Sequence, residues 1–238
     1  MSLWVLGDTH LSFGVDKPMD IFGGWSNYVE RLEKNWRELV DENDTVLLAG
    51  DISWGMTLEQ ALPDFHFIDK LPGRKIIMKG NHDYWWGTVG KMTRFLNDNN
   101  INTISFLFNN AYRVGNISVC GTRGWFYDAH ESHDEKVIAR EIGRLKMSYE
   151  LANTLGGEVV AFLHYPPVYA GKECPEIMQA LLDIGVKRCY YGHLHGKRNH
   201  SLAVTGLYRG IDFYLISGDY VQFKPIPVTE PNIFTENS

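Results

Sequence analysis

Two histidines stand one residue apart between two glycines in the stretch "YYGHLHG", which covers residues 190–196. Side chains on a strand alternate faces with a period of two, so His193 and His195 could share a face, yet a glycine-flanked stretch is a poor strand. Imidazole is also a common ligand of divalent metal ions. The two histidines are therefore structural, or bind one metal ion together, or bind one ion each.

Five stretches share a pattern in which an apolar run ends in Asp, Asn or His. They are "LWVLGDTH", "TVLLAGDIS", "KIIMKGNHD", "VVAFLHYPP" and "CYYGHLHG", and all but the fourth pass through a Gly. In open α/β sheets, ligands bind outside the carboxyl ends of the strands, so parallel neighbouring strands would bring these exits together. The converging residues would be Asp8, His10, Asp51, Asn81, His82, Asp83, His164, His193 and His195.

Carboxylate, imidazole and carboxamide groups without thiolates suit divalent ions such as Mn²⁺, Fe²⁺ or Zn²⁺. The set is too large for one ion, because a tetrahedral site takes about four ligands. Two metal sites that share one bridging carboxylate would account for this number of candidate ligands. Asp51, in the middle of the chain order, is the natural bridge.

The order and spacing of D-x-H, GD, GNHD, a lone His after a strand and GHLH resemble the calcineurin-like metallophosphoesterase superfamily. The motifs run from Asp8 to His195 and so cover most of the chain. The resemblance implies an α/β fold, a four-layer α/β/β/α sandwich of two mixed sheets flanked by helices, and two divalent metal ions (Mn, Fe or Zn). One ion would be held by Asp8, His10, Asp51 and His195, and the other by Asp51, Asn81, His164 and His193.

The same resemblance gives His82 the position facing the leaving group and gives Asp83 the role of orienting it. The expected reaction is hydrolysis of a phosphomonoester or phosphodiester, with a metal-bound hydroxide as the nucleophile. His82, as imidazolium, would protonate the departing oxygen. One departure concerns the loop "GDISWGM": many members carry a further Asp here, whereas the next acidic residue in this chain is Glu59.

Residues near these motifs are candidates for substrate contacts. Tyr84 and Trp85 directly follow the candidate acid and would wall the substrate mouth, stacking on a base or an apolar leaving group. In "GTRGWFY", after the expected strand "ISVCG", Arg123 and Trp125 would reach the same rim, with Arg123 contacting phosphate. The alternatives are that the aromatic residues pack on the sheet edge and that Arg123 forms a structural ion pair.

Two other functions compete with hydrolysis of phosphoesters. A metal-binding scaffold or interaction protein could keep the fold without turnover, although such a protein would usually have lost ligands or the acid, and none is missing here. A metallo-β-lactamase-like enzyme would need H-x-H-x-D-H in one run, which "GHLHGKRNH" lacks. The leading hypothesis is therefore a dinuclear phosphoesterase.

Strands and helices alternate along the sequence as in βαβ units. Apolar residues at helical spacing predict a helix across Val29–Val40, and Thr57 to Gln60 forms a capping box before a second apolar face. Further helices are expected at about 88–97, at about 132–155, where "SHDE" offers a capping box, and between Pro175 and Gly185.

The bulk composition predicts one globular domain over residues 1–238, with 225–238 as an edge strand and frayed tail. The net charge of −6, with scattered Lys and Arg, makes long nucleic acid an improbable partner. No apolar run reaches membrane-spanning length and the amino terminus has no basic lead, so we expect a cytoplasmic protein without a membrane partner. The expected partner is a small phosphoester substrate; the oligomeric state is open. The three cysteines lack metal-binding spacing.

Overall fold

The computed structural model describes residues 1–125 and 135–229. The strands are β1 Leu3–Leu6, β2 Thr45–Leu48, β3 Arg74–Ile77, β4 Ile104–Phe106, β5 Tyr112–Val114, β6 Ile117–Thr122, β7 Glu158–Leu163, β8 Val168–Tyr169, β9 Lys172–Glu173, β10 Arg188–Tyr191, β11 Gly206–Tyr208, β12 Ile211–Leu215 and β13 Ile226–Pro227. The helices are α1 Tyr28–Leu39, α2 Leu58–Asp69, α3 Val89–Asp98, α4 Glu135–Leu155, α5 Pro175–Ile184 and α6 Gly196–Ser201.

The strands form two main sheets, and both are mixed. The first has the order β13-β1-β2-β3-β4, in which only β13 runs antiparallel to its neighbour. The second has the order β11-β12-β10-β7-β6-β5, with antiparallel strands at both edges and parallel strands between them. The strands β8 and β9 form a separate small hairpin.

Neighbouring residues of each strand point to opposite faces of its sheet. Each sheet therefore packs against the other sheet with one face and against helices with the other. In β1, Val5 contacts the core between the sheets while Leu6 packs in the core beneath α1, α2 and α3. In β7, Phe162 belongs to the central core while Leu163 packs toward α4 and α5. These three cores make the four-layer sandwich predicted from the resemblance.

The helices follow the sequence signals. Tyr28, Leu32 and Trp36 recur every four residues as the buried stripe of α1. The hydroxyl of Thr57 caps α2 by accepting the Gln60 N–H. The expected helices near 88–97 and 175–184 are present as α3 and α5. The long helix is described from residue 135, so the proposed "SHDE" cap lies outside the described residues.

No helix in the described residues is long and apolar enough to cross a bilayer. The strand β13 lies at an edge of the first sheet, where it pairs antiparallel with β1. The extent of the domain over residues 1–238 stays a prediction.

Candidate metal centre

The candidate site lies at the carboxyl ends of parallel strands from both sheets. The residues that follow each strand are Asp8 and His10 after β1, Asp51 after β2, Asn81, His82 and Asp83 after β3, His164 after β7, and His193 and His195 after β10. Parallel pairing of β1, β2 and β3, and of β7 and β10, aligns these exits at one edge of the sandwich. Residues separated by more than 180 positions therefore meet.

The first group of possible ligands combines Asp8, His10 and His195. Their ligand atoms all lie within 4.8 Å of one another. The Nε2 atoms of His10 and His195 are 3.2 Å apart, and His195 Nε2 is 3.6 Å from Asp8 Oδ1. This arrangement offers two nitrogens and one carboxylate oxygen to a single ion.

The second group combines Asp51, His164 and His193, whose ligand atoms also lie within 4.8 Å of one another. Asn81 contributes a carboxamide oxygen between the two histidines, 2.6 Å from His164 Nε2 and 3.0 Å from His193 Nδ1. His164 Nδ1 is 3.0 Å from the backbone oxygen of Ala49, which orients the ring with Nε2 toward the group.

A single oxygen of Asp51 lies between the two groups. Its Oδ2 atom is 3.6 Å from His10 Nε2 and 3.4 Å from His164 Nε2. The other oxygen, Oδ1, accepts the backbone N–H of His82 at 2.7 Å. The carboxylate is thus held in a position from which it reaches both ligand groups.

The site is electrostatically suited to cations. Asp8 and Asp51 are buried, and burial alone would raise their pKa, but neighbouring histidines lower the pKa of both carboxyls. Burial lowers the pKa of His164, but Asp51 outweighs it and raises that pKa to about 9. Two buried carboxylates therefore draw positive charge into the site, and the oxygen and nitrogen donors around them fit divalent ions.

Four of the candidate ligands have a left-handed backbone. The φ angles are 57° at Asp8, 43° at His10, 52° at Asp51 and 73° at His193. Such values are costly for residues other than glycine and cluster at functional sites, where the surrounding structure enforces them. The backbone at these exits is therefore shaped by the site as well as by local preference.

Glycines before two of the ligands allow the strands to approach closely. A Cβ atom at Gly80 would lie 2.1 Å from Asp51 Oδ1, and one at Gly192 would lie 2.4 Å from Asp8 Oδ2. Any larger residue would displace these carboxylates. The recurring Gly in the strand exits is explained at both positions by contact with a candidate ligand.

The contacts of Asp83 differ from those expected of a residue that orients the His82 imidazole. Its Oδ2 accepts the backbone N–H groups of Asp51 and Gly80, and its Oδ1 accepts that of Ile52. Within residues 1–125 and 135–229, no hydrogen bond joins this carboxylate to the imidazole of His82. Asp83 is fully buried, so its oxygens bind the nearby amides of the β2 exit, and it holds the loop that carries Asp51.

His82 lies beside the two ligand groups and is half-buried. Its ring centroid is 5.8 Å from that of His10 and 4.6 Å from that of Trp54. Its Nδ1 is 3.4 Å from the hydroxyl of Tyr84. Burial lowers the pKa of His82, an effect that the charge of Asp51 opposes.

A cavity of about 430 Å³ opens beside His82 and the first ligand group. It is lined by His10, Lys17, Met19, Phe22, Gly23, Trp25, Trp54, His82, His195 and Gly196. Trp54 stacks on His10 with ring centroids 4.9 Å apart, and Lys17 Nζ lies 4.4 Å from the Trp54 ring centre. In the loop "GDISWGM", where the expected acidic residue is missing, the chain presents this indole to the cavity.

The four candidate substrate contacts have different environments. Tyr84 is 54% exposed beside His82, and Arg123 is half-buried. Trp85 is only 4% exposed and packs on Phe65 in the core beneath the helices, so it does not wall the mouth. Trp125 is 8% exposed and packs in the core beneath α4 and α5. The indole N–H of Trp85 donates to Asp83 Oδ1 at 3.1 Å, so its one polar atom has a partner in the core.

Asp219 contacts a candidate ligand and is not among the site residues predicted from the sequence. Its Oδ1 is 2.8 Å from His195 Nδ1, and its Oδ2 accepts the Gly196 N–H at 2.8 Å. Burial lowers the pKa of His195, but the hydrogen bonds to Asp219 and Asp8 raise it to about 10. A signal was present, because "FYLISGD" repeats the pattern of an apolar run ending in Gly-Asp.

A sequence model of the calcineurin-like phosphoesterase family matches residues 1–197. No curated protein matches the chain. Solved structures resemble it: a protein of unknown function, AQ665 from Aquifex aeolicus, has a TM-score of 0.51 and 16% identity, with 95% of each chain covered. Phosphopantetheinyl hydrolase (PptH) from Mycobacterium tuberculosis has a TM-score of 0.56 and 12% identity, covering 99% of this chain and 98% of that chain.

The protein TT1561 of Thermus thermophilus has a TM-score of 0.53 and 10% identity, with 82% of each chain covered. At these identities the likeness shows the fold alone. The family match spans all five strand exits, from Asp8 to His195, and the observed sandwich agrees with it. The chain belongs to the calcineurin-like phosphoesterase family.

Proposed function

We propose that the chain hydrolyses a phosphomonoester or phosphodiester with two divalent metal ions, Mn, Fe or Zn. Asp8, His10, Asp51 and His195 would hold one ion, and Asp51, Asn81, His164 and His193 the other. The observation that carries the proposal is the position of Asp51 Oδ2, within 3.6 Å of one nitrogen from each ligand group. A shared carboxylate is the typical bridge of a two-metal site.

Bound divalent ions would polarise the phosphoryl oxygens and activate the attacking water. The protein supplies the arrangement around them. Asp83 holds the Asp51 loop through backbone amides, and Asp219 orients His195 by accepting from its Nδ1. Ligand orientation of this kind typically contributes about 10- to 100-fold in metal affinity or activity.

His82 would donate a proton to the leaving oxygen. Its backbone N–H is bound to Asp51 Oδ1, so the imidazole is held beside the ligand groups without occupying either of them. The ring also lines the open cavity, where a leaving group would sit. Proton donation of this kind is usually worth about 10²- to 10⁴-fold in rate.

The substrate we propose is a small phosphoester in a cytoplasmic setting. The cavity beside His82 has aromatic walls that suit an apolar or aromatic leaving group, and Lys17 stands at its edge. Tyr84 and Trp54 are the proposed stacking surfaces, in place of Trp85 and Trp125. The net charge of −6 over the whole chain argues against long nucleic acid as the substrate.

The test is hydrolysis of an aryl phosphomonoester and its diester counterpart, after metal is stripped and Mn²⁺ is restored. We expect turnover to return with Mn²⁺ and to be lost in Asp51→Asn together with both ions. His82→Ala should keep both ions and slow esters with poor leaving groups most strongly. The matched control is His66→Ala, because His66 lies on α2 outside the site.

Equal loss of metal in Asp51→Asn and His82→Ala would contradict the roles assigned to these residues. Two bound ions per chain without turnover of either ester would favour a scaffold that has kept the fold. A preference between the two esters would show whether the chain is a monoesterase or a diesterase.

A further inference from the structure

A second cavity, of about 250 Å³, lies at the same edge of the sandwich as the metal centre. It is lined by residues that follow β3 and β4, by the end of β6 and the residue after it, and by one face of α4. The metal centre occupies the adjacent exits of β1, β2, β3, β7 and β10. The β3 exit is therefore common to both. Its polar and charged lining residues are Lys79, Asn109, Thr122, Arg123, Arg140, Glu141 and Arg144.

The lining of this cationic cavity is strongly positive. Four cationic side chains face one carboxylate, a net charge of +3 in a chain whose overall charge is −6. The carboxylate of Glu141 is buried and already accepts from Arg144 and the Thr122 hydroxyl. In the described parts of the chain, Lys79, Arg123 and Arg140 have no carboxylate partner. Unpaired cations in a concave surface attract anions.

Aromatic rings contact two of these cations, Arg123 and Arg144, and Arg144 is also paired with Glu141. The Arg123 guanidinium carbon lies 6.0 Å from the centre of the Trp125 ring and 5.8 Å from that of Tyr165. The Arg144 guanidinium carbon lies 4.7 Å from the centre of the Phe108 ring. Cation–π contacts use the faces of the guanidinium groups, so the N–H donors of Arg123, and those of Arg144 that Glu141 does not accept, are available to a ligand.

The cations also repel one another. Lys79, Arg123, Arg140 and Arg144 all line one cavity of about 250 Å³. Such crowding costs free energy in the empty protein, and an anion with several acceptor oxygens would relieve it. The Oδ1 atom of Asn109 is buried without a partner among the described residues, so the lining can also accept a hydroxyl group.

The cationic cavity is connected to the metal centre through the backbone. Lys79 stands two residues before Asn81, and the backbone oxygen of Arg123 accepts the N–H groups of His164 and Tyr165. The ring of Tyr165 lies 4.6 Å from that of His193. These contacts place the cationic cavity beside the metal centre.

We propose that the cationic cavity binds a second anionic group of the substrate, a phosphate remote from the ester that is cleaved. This inference rests on the proposed function and narrows it to small molecules with two anionic groups, such as bisphosphates. The arginines would bind two oxygens of the remote phosphate in a fork, and Lys79 would add a point charge.

The kinetic test uses the metal-restored protein and a series of α,ω-alkanediol bisphosphates, each compared with its monophosphate. We expect the KM of the best bisphosphate to be at least about tenfold lower than that of its monophosphate. In Arg123→Gln/Arg140→Gln and in Arg140→Gln alone, whose side chain is exposed on α4, this advantage should shrink toward one. The matched control is Lys91→Gln/Arg94→Gln on α3, which should retain the full advantage.

The binding test separates failure of this inference from failure of the proposed function. Inorganic sulfate is titrated into Asp51→Asn, in which the metal centre is impaired, and the melting temperature is followed. We expect a saturable rise that disappears when Arg123→Gln/Arg140→Gln is added and persists with Lys91→Gln/Arg94→Gln. No saturable rise, or equal KM values for every bisphosphate and monophosphate pair, would overturn the inference, whereas absent turnover with intact sulfate binding would count against the proposed function alone.

Discussion

Asp219→Asn tests whether a carboxylate outside the ligand groups sets the affinity of one metal ion. The side chain of Asp219 is only 3% exposed, and its two oxygens accept from His195 Nδ1 and from the Gly196 N–H, each at 2.8 Å, while His200 Nε2 lies 3.3 Å from Oδ2. Asparagine has nearly the same shape but only one acceptor oxygen. Whichever way its carboxamide turns, its NH₂ group faces an N–H donor, so one of the two hydrogen bonds is lost.

The expected magnitude follows from that loss. A hydrogen bond to a charged group contributes about 1.5 to 3 kcal/mol net, which corresponds to about 10- to 150-fold in an equilibrium constant. Removing a carboxylate that orients a ligating histidine typically costs about 10- to 100-fold in metal affinity. We therefore expect the ion near Asp8, His10 and His195 to bind about 10- to 100-fold more weakly, with a smaller effect on the other ion.

The assay is a titration of metal-free protein with Mn²⁺ by calorimetry, which resolves two binding steps of different affinity. Asp98→Asn is the matched control, because Asp98 is an exposed carboxylate at the end of α3. The reasoning is refuted if Asp219→Asn binds both ions as the parent chain does, or if both steps weaken equally.

Two further changes test packing and burial. Gly192→Ala would bring a Cβ within 2.4 Å of Asp8 Oδ2 and should lower the free energy of unfolding by about 1 to 3 kcal/mol, while Gly143→Ala, at an open helical position, should leave it unchanged or raise it in urea denaturation. A second prediction concerns Asp64. Burial raises the pKa of its carboxyl from 3.8 to about 6, although hydrogen bonds from Ser53 and Phe13 act to lower this pKa. The protonated Asp64 carboxyl therefore contributes about 3 kcal/mol to the free energy of unfolding. This contribution is complete below pH 3.8 and is lost as the pH rises through about 6. The free energy of unfolding, measured by denaturation between about pH 4 and 7, should fall with pH more steeply in the parent chain than in Asp64→Asn. Parallel pH curves for the two proteins would contradict this prediction.

The helices and the strand exits could be predicted from sequence because their signals are local. Thr57 caps α2 three residues before its hydrogen-bond donor, and Gly185 ends α5 with a left-handed φ of 73°. The candidate ligands follow short apolar runs in each case, so their place at strand ends depends only on neighbouring residues. The family motifs predicted the sandwich, which the structure confirms, and a division of the ligands between two ions, which stays a prediction.

The burial and the contacts of side chains around the site could not be predicted from the sequence, because they depend on the tertiary structure. Trp85 directly follows the "GNHDY" motif yet points into the core, and Asp83 binds amides of the β2 exit, more than 25 residues away in sequence. Sequence position next to His82 could not decide either outcome, because burial depends on which strands are neighbours. Asp219 reaches His195 only because β12 pairs with β10.

The residue types at the five strand exits, and with them the donor atoms available to a metal ion, can be read from the sequence. Tertiary packing decides which donors meet, since His10 and His195 are 185 residues apart and come within 3.2 Å because two separate sheets pack together. It also decided where positive charge accumulates: Lys79, Arg123 and Arg140 are scattered in the sequence and converge on one cavity. Local preferences act over a few residues, whereas contacts between sheets arise from burial of apolar faces over the whole chain.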